Sequence, residues 1–161
     1  MEIRPFAEAD WAETWPIVRS IVRAADTFVY DPQMSEAEAP AVWIEAPPGQ
    51  TVVATEDGVI LGTAKMGPNR PGPGAHIATA SFMVAGAARG RGVGRALCQF
   101  ALDWARRHGF AGIQFNAVAA SNVGAVALYR QLGFEIVGTV PGAFAHPTLG
   151  RVDLHIMYCA F

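Results

Sequence analysis

Cysteine is scarce in this chain, and so are an excess of charge and long apolar runs. Its 161 residues hold two cysteines, Cys98 and Cys159, too few and too far apart for a disulfide framework or a metal-ligand spacing. They are expected to be reduced thiols of a cytoplasmic protein, with no metal. A net charge of -2, with 16% of residues charged, leaves no basic footprint for nucleic acid and no charged tail. No apolar stretch reaches bilayer-spanning length. The opening MEIRPFAEAD carries acidic residues where a signal peptide would be basic and then apolar, so no membrane association is expected. What remains is a single domain over residues 1–161, 52% hydrophobic and long enough to bury a full core.

What is present is concentrated between Phe82 and Gly94, FMVAGAARGRGVG. An apolar, strand-like segment leads into a glycine-rich turn and then an amphipathic helix. Val93, Ala96, Leu97, Phe100, Ala101 and Trp104 recur at three- and four-residue intervals, which gives one apolar stripe on a 3.6-residue period. Arg106 and Arg107 complement the negative end of the helix and Gly109 stops it, so the spacing predicts a helix from about Gly92 to His108. The glycines stand at its N-terminus, where backbone N–H groups lack intrahelical partners and carry partial positive charge. Gly90, Gly92 and Gly94 leave those groups uncovered, and Arg89, Arg91 and Arg95 add formal charge around them. A pyrophosphate is the ligand such a turn suits. Two familiar nucleotide turns fail on residues: counting from Gly90, the sixth position of G-x-G-x-x-G is Arg95, and no Lys follows Gly94 as a Walker loop requires.

In chain order, Glu2 to Phe6 reads as a strand, and Ala9 to Ala25 as a helix with a stripe of Trp11, Trp15, Val18, Ile21 and Val22 that Pro16 should kink or split. Phe28 and Tyr30 are core residues or contacts of a substrate pocket. Ser35 and Glu38 have capping-box spacing and predict a second helix ending near Glu45. Asp57-Gly58 is a hairpin signal between strands at Thr51 to Glu56 and Val59 to Met66. Gly67 to Ala75 is too rich in proline and glycine for regular structure, and His76 to Val84 is the strand feeding the glycine turn. Further strands are expected at Phe110 to Val118, Phe134 to Val140 and Val152 to Phe161, with a helix from Asn122 to Leu132 and a late loop holding His146. The element order predicts an α/β fold with a mixed sheet centred on the strand before the glycine turn.

Arg89, Gly92 and Gly94 as Arg-x-x-Gly-x-Gly after Phe-Met-Val, then Asn122-x-x-Ala125, Leu128-Tyr129 and Leu132-Gly133-Phe134, resemble the two signatures of the GCN5-related N-acetyltransferases (GNAT). The resemblance covers nearly the whole chain. It implies the GNAT fold, a mixed, mostly antiparallel central sheet of about six to seven strands flanked by about four helices. It also implies acetyl-coenzyme A as co-substrate. By the same resemblance, Phe82, Met83 and Val84 bond the pantetheine through their backbones, the turn Arg89, Gly90, Arg91, Gly92, Val93, Gly94, Arg95 holds the pyrophosphate, and Asn122 contacts the cofactor besides capping its helix.

Tyr129 matches the family position of the general acid that protonates the departing thiolate; taken alone, a tyrosine in an apolar helix is usually core packing, and the family match reverses that. The base is open. No Glu lies between Ala75 and Val84, so a water-mediated base or an amine bound neutral is expected, with Glu56 and His76 as alternatives. Cys98 lies inside the long helix, which favours direct attack over an acyl-enzyme. FNAVAASN and VPGAFAHP are similar to small-molecule acetyltransferases of the phosphinothricin and proline-analogue type, which makes Asn116 a candidate for an amino acid's carboxylate and Thr79 a second acceptor position. The expected activity is acetyl transfer to a small amine, an amino acid or an analogue. The alternatives are a protein or peptide amine, or a coenzyme A-binding module without catalysis. By the same resemblance, the last strand, Val152 to Phe161, implies a homodimer contact.

Overall fold

The computed structural model describes residues 1–161 and has an α/β architecture. Its strands are β1 (Glu2–Pro5), β2 (Gln50–Glu56), β3 (Val59–Pro68), β4 (Ile77–Val84), β5 (Gly112–Ala119), β6 (Glu135–His146) and β7 (Gly150–Ala160). The helices are α1 (Trp11–Ala24), α2 (Ala39–Trp43), α3 (Val93–Arg107) and α4 (Val123–Gln131). One seven-stranded sheet runs β1-β2-β3-β4-β5-β7-β6, antiparallel throughout except between β4 and β5.

That parallel pair decides the shape of the molecule. β4 and β5 are partnered at Ile77↔Gly112 and Ala78↔Ile113 and nowhere beyond, so the sheet splits open after Ala78. Each strand keeps its other neighbour: β4 stays on β3 from Pro68↔Ala78 to Gly62↔Val84, and β5 stays on β7. The split is therefore a gap inside an otherwise continuous sheet.

Side chains alternate across the sheet and build two cores. Val52, Ala54, Ala64, Ala78, Ala80, Ile113 and Phe115 face α3, whose Leu97, Ala101 and Trp104 cover them, with Tyr129 of α4 packed alongside. Val53, Ile60 and Met83 face the other way, under Trp15, Val18 and Val22 of α1 and Trp43 of α2. A fully buried side chain such as Leu97 contributes roughly 1.5–3 kcal/mol of apolar burial. Trp43 is fully buried, and its indole N–H donates to Thr63 Oγ1 at 3.1 Å, while that hydroxyl donates to the Val52 carbonyl at 2.8 Å. This bond pair ties α2 to the sheet and leaves no buried polar group of the trio unpaired.

Three elements differ from expectation. α1 is not split at Pro16, which stands in its second turn and deletes a single backbone bond while the stripe of Trp15, Val18, Ile21 and Val22 stays buried. The Ser35–Glu38 bonds form, with the Ser35 N–H donating to Glu38 Oε2 at 2.9 Å and its hydroxyl at 2.6 Å, yet they close a turn; α2 starts only at Ala39, with Pro40 in its first turn. Finally, Val140 to His146 is strand, where a loop was expected. β6 passes Pro141-Gly142 through a register shift between Val140 and Phe144, with Gly142 at a φ of 60° and its N–H donating to Asp153 Oδ1 at 2.9 Å. β7 accordingly lies between β5 and β6, and β6 is the sheet edge.

Candidate active site

The split in the sheet is a cleft of about 880 Å³, within the usual size of small-molecule sites. Its β4 wall follows from hydrogen-bond register. Ala85 N–H donates to the Leu61 carbonyl and Asn69 N–H to the Ile77 carbonyl, so the odd-numbered residues of β4 spend their main-chain groups on β3. The even-numbered Ala80, Phe82 and Val84 aim theirs into the gap, where β5 has turned away. These three residues line the cleft and offer a free strand edge to an extended ligand. Met83, expected beside them, points its side chain into the α1 core, is buried, and bonds along β3. It lies outside the cleft.

The glycine turn closes one end. α3 begins at Val93, with Gly92 as its N-cap at a φ of 81°, and Gly90 has a φ of 76°. A Cβ on Gly90 or Gly92 would meet nothing within 4 Å, so the space above the turn is open while the backbone conformation demands glycine. The result is a cradle of unpartnered N–H groups at a helix N-terminus, a fit for a pyrophosphate. Arg89, Gly90, Gly92, Val93, Gly94 and Arg95 all line it. Arg91 does not; its guanidinium is bound by Glu56 at the β2–β3 hairpin. Arg95 donates to Gln131 Oε1, linking α3 to α4 at the cleft wall.

Tyr129 stands on α4 amid an aromatic group, with ring centroids 4.7 Å from Phe115, 6.0 Å from Phe134 and 6.2 Å from Phe82. The side chain is half-buried and faces the cleft. Burial pushes its phenol well above the ordinary range, with Cys98 as a smaller contribution, so the hydroxyl keeps its proton at neutral pH. Asn122 lines the cleft and also caps α4, accepting from the Ala125 N–H at 3.4 Å. Beside it, the buried Ser121 hydroxyl has no partner.

The opposite face of the gap, toward α1, is built from different residues. Thr79 and Ser81 rise from β4 and Asn116 from β5, with His146 at the far end of β6. Asn116 Nδ2 donates to Asn69 Oδ1 at 2.7 Å, and its Oδ1 accepts from Gln114 Nε2 at 2.9 Å, so the amide is held in one orientation with a second N–H to spare. Nδ1 of His146 accepts from the N–H groups of Thr148 and Leu149, each at 3.2 Å, which leaves the other ring nitrogen to donate when the ring is neutral. Phe28 and Tyr30 cover this half, together with Asp26. Asp26, Ser81 and Ser121 were missed by sequence reasoning, and no motif marks them. His76 and Glu56, the alternative bases, lie elsewhere: His76 bonds the Pro73 carbonyl at 3.0 Å, and Glu56 is shared between Arg91 and the chain's N-terminal amine. Cys98 is buried inside α3.

A split parallel pair, a free strand edge and a glycine cradle define a site for an extended, phosphate-bearing ligand. Comparison with known proteins agrees. Residues 15–134 match the model of the acetyltransferase (GNAT) family, and the chain belongs to that family. A GCN5-related N-acetyltransferase from Kribbella flavida is 53% identical, with a TM-score of 0.96 over 99% of this chain and 97% of that one. The ribosomal-protein-alanine N-acetyltransferase from Brucella melitensis is 28% identical, with a TM-score of 0.87 over all of both chains. YncA of Salmonella typhimurium, a putative acetyltransferase solved with acetyl-CoA, is 26% identical, with a TM-score of 0.83 over 99% of this chain and 93% of that one. The chain spans less than half the length of the curated relatives it matches, 13% of one and 44% of another.

Proposed function

We propose that this protein is an acetyl-coenzyme A-dependent N-acetyltransferase whose acceptor is the amine of a small molecule, an amino acid or an analogue. The observation that carries this reading is the cleft itself, in which the free edge at Ala80, Phe82 and Val84 leads from the glycine cradle to Tyr129 and then through the sheet to a separate polar face. In this reading the edge residues bond the pantetheine, Arg89 and the turn N–H groups hold the pyrophosphate, and Asn122 meets the same molecule near α4. Acetyl-CoA in the YncA structure supports acetyl-CoA as the molecule bound.

The amine enters from the face of Thr79 and Asn116 and attacks the thioester carbonyl carbon directly. As the new C–N bond forms, the C–S bond breaks, and Tyr129 gives its proton to the departing sulfur. Water in the open cleft takes the proton the amine loses and returns one to Tyr129. Cys98, sealed in α3, takes no acetyl group. Asn116 offers its spare N–H to an acceptor carboxylate. A homodimer belongs to the same reading; the last strand, β7, expected to carry the contact, lies inside the sheet between β5 and β6, so the edge strand β6, with Val137 and Val140 exposed, takes that place. Elution as a monomer at micromolar concentration contradicts that part.

The test is thiol release from acetyl-CoA in the presence of single amines, with mass detection of the product. Release with a small amine and none with N-terminal peptides supports the reading. The Brucella relative's acceptor is a ribosomal protein, and release with peptides alone would move the assignment to protein acetylation.

A further inference from the structure

Asp26 is the one carboxylate among the residues lining the cleft, and no ion pair of the chain uses it. It follows the C-terminus of α1, where Ala25 takes a left-handed φ of 53° and turns the backbone toward the sheet opening. Phe28 and Tyr30 come two and four residues later and line the same cleft, their rings stacked at 5.5 Å and 21°. Phe28 is itself fixed by the edge of the buried Trp43, with centroids 6.1 Å apart and planes at 71°. A carboxylate and two ordered aromatic rings on one short segment of a cleft wall are the chemistry of a cation site.

The charge along the cleft points the same way. Arg89 and Arg95 stand at the glycine turn, whereas the lining toward α1 holds no lysine or arginine; its polar residues besides Asp26 are Thr27, Tyr30, Thr79, Ser81, Asn116 and His146. The reacting amine must be neutral to attack, and a carboxylate gripping it would favour the unreactive ammonium. Asp26 therefore suits a positive group other than the one acetylated. We propose that Asp26, with the faces of Phe28 and Tyr30, binds a second cationic group of the acceptor, so that the substrate is a small amine with two cationic centres, a diamine or a basic amino acid. This rests on the acetyl-transfer reading above and narrows its substrate class.

Calorimetry on the full chain saturated with coenzyme A, titrated with diaminobutane and with butylamine, reads the site directly, and thiol release with the same amines reads its use. Diaminobutane is expected to bind about tenfold more tightly than butylamine. Asp26→Asn should erase that difference without changing butylamine or acetyl-CoA affinity, and Asp26→Glu should restore part of it. Equal affinities in the wild type, or a preference that survives Asp26→Asn, overturn the proposal. So does an equal loss of turnover with both amines in Asp26→Asn, because Asp26 would then serve the reacting nitrogen. Thiol release without any preference for the dication sinks this inference and leaves acetyl transfer standing. A preference in binding that Asp26→Asn erases, with no release from any amine, keeps the cation site but overturns the acetyl-transfer reading and, with it, the diamine as acceptor.

Discussion

The rings of Phe115 and Tyr129 meet with centroids 4.7 Å apart and planes tilted by 57°. Phe115 belongs to β5 and Tyr129 to α4, so this contact fixes a phenol from outside the sheet against the strand that has swung away from β4. Phe134 stacks on Phe115 at 4.3 Å and its ring also lies 6.0 Å from that of Tyr129, so the three rings pack as a triangle that leaves the tyrosine little freedom. Because packing sets the ring position, Tyr129→Phe keeps the fold and removes only the hydroxyl. Turnover is expected to fall roughly ten- to a thousandfold, with KM for acetyl-CoA unchanged. Steady-state thiol release measures both, and wild-type turnover in the variant would remove Tyr129 from the mechanism.

The glycine cradle predicts a split among neighbouring variants. Gly92→Glu puts a side chain at a φ of 81° and a negative charge over the helix N-terminus, and should abolish acetyl-CoA binding. Arg89→Ala should weaken binding about tenfold, as loss of one charge-assisted contact does. Arg91→Ala should cost much less, because Glu56 already occupies that guanidinium. Calorimetry with coenzyme A ranks the three, and an Arg91 variant weaker than the Arg89 variant would contradict the assignment.

Asn116 is held by Asn69 at 2.7 Å and Gln114 at 2.9 Å, so its spare N–H is preset. Asn116→Ala is expected to raise KM for a carboxylate-bearing acceptor about tenfold and leave KM for acetyl-CoA alone. Asn69→Ala, which frees the amide without deleting it, should show a smaller rise. Unchanged KM for every amine in Asn116→Ala excludes the role.

Burial pushes the Cys98 thiol from its ordinary 9.0 up to about 12. A thiol whose folded pKa lies above its unfolded value contributes stability in full below the unfolded value, and that contribution drains away as pH rises toward the folded one. Urea midpoints should therefore fall between about pH 9 and pH 11, and fall less in Cys98→Ala. A midpoint flat across that window, or a fall identical in the variant, would contradict the burial argument.

Local signals carried much of this fold. The stripe from Val93 to Trp104 placed α3, Asp57-Gly58 placed the β2–β3 hairpin, and Asn122 with Gly133 bracketed α4. Signals that depend on partners were weaker. Pro141-Gly142 reads as a break, yet β7 supplies Asp153 to bond Gly142 and carries β6 past it to His146. At the site, the turn and Tyr129 were legible because each sits in a contiguous pattern. Met83 was grouped with Phe82 and Val84 because adjacency in sequence hides the two-residue period of main-chain direction in a strand. Asp26 and Ser81 reach the cleft only because β4 and β5 separate after Ala78, a tertiary event that leaves no local mark.

In the proposed function, acetyl transfer takes place across the β4–β5 gap. Free thiol release from acetyl-CoA, followed over a panel of amino acids, diamines, monoamines and short peptides against a blank without acceptor, tests it most directly. Release is expected to be matched mole for mole by an acetylated small amine, absent in Gly92→Glu and strongly reduced in Tyr129→Phe. Silence across the whole panel from a chain that binds coenzyme A tightly would contradict it and leave a binding module in its place.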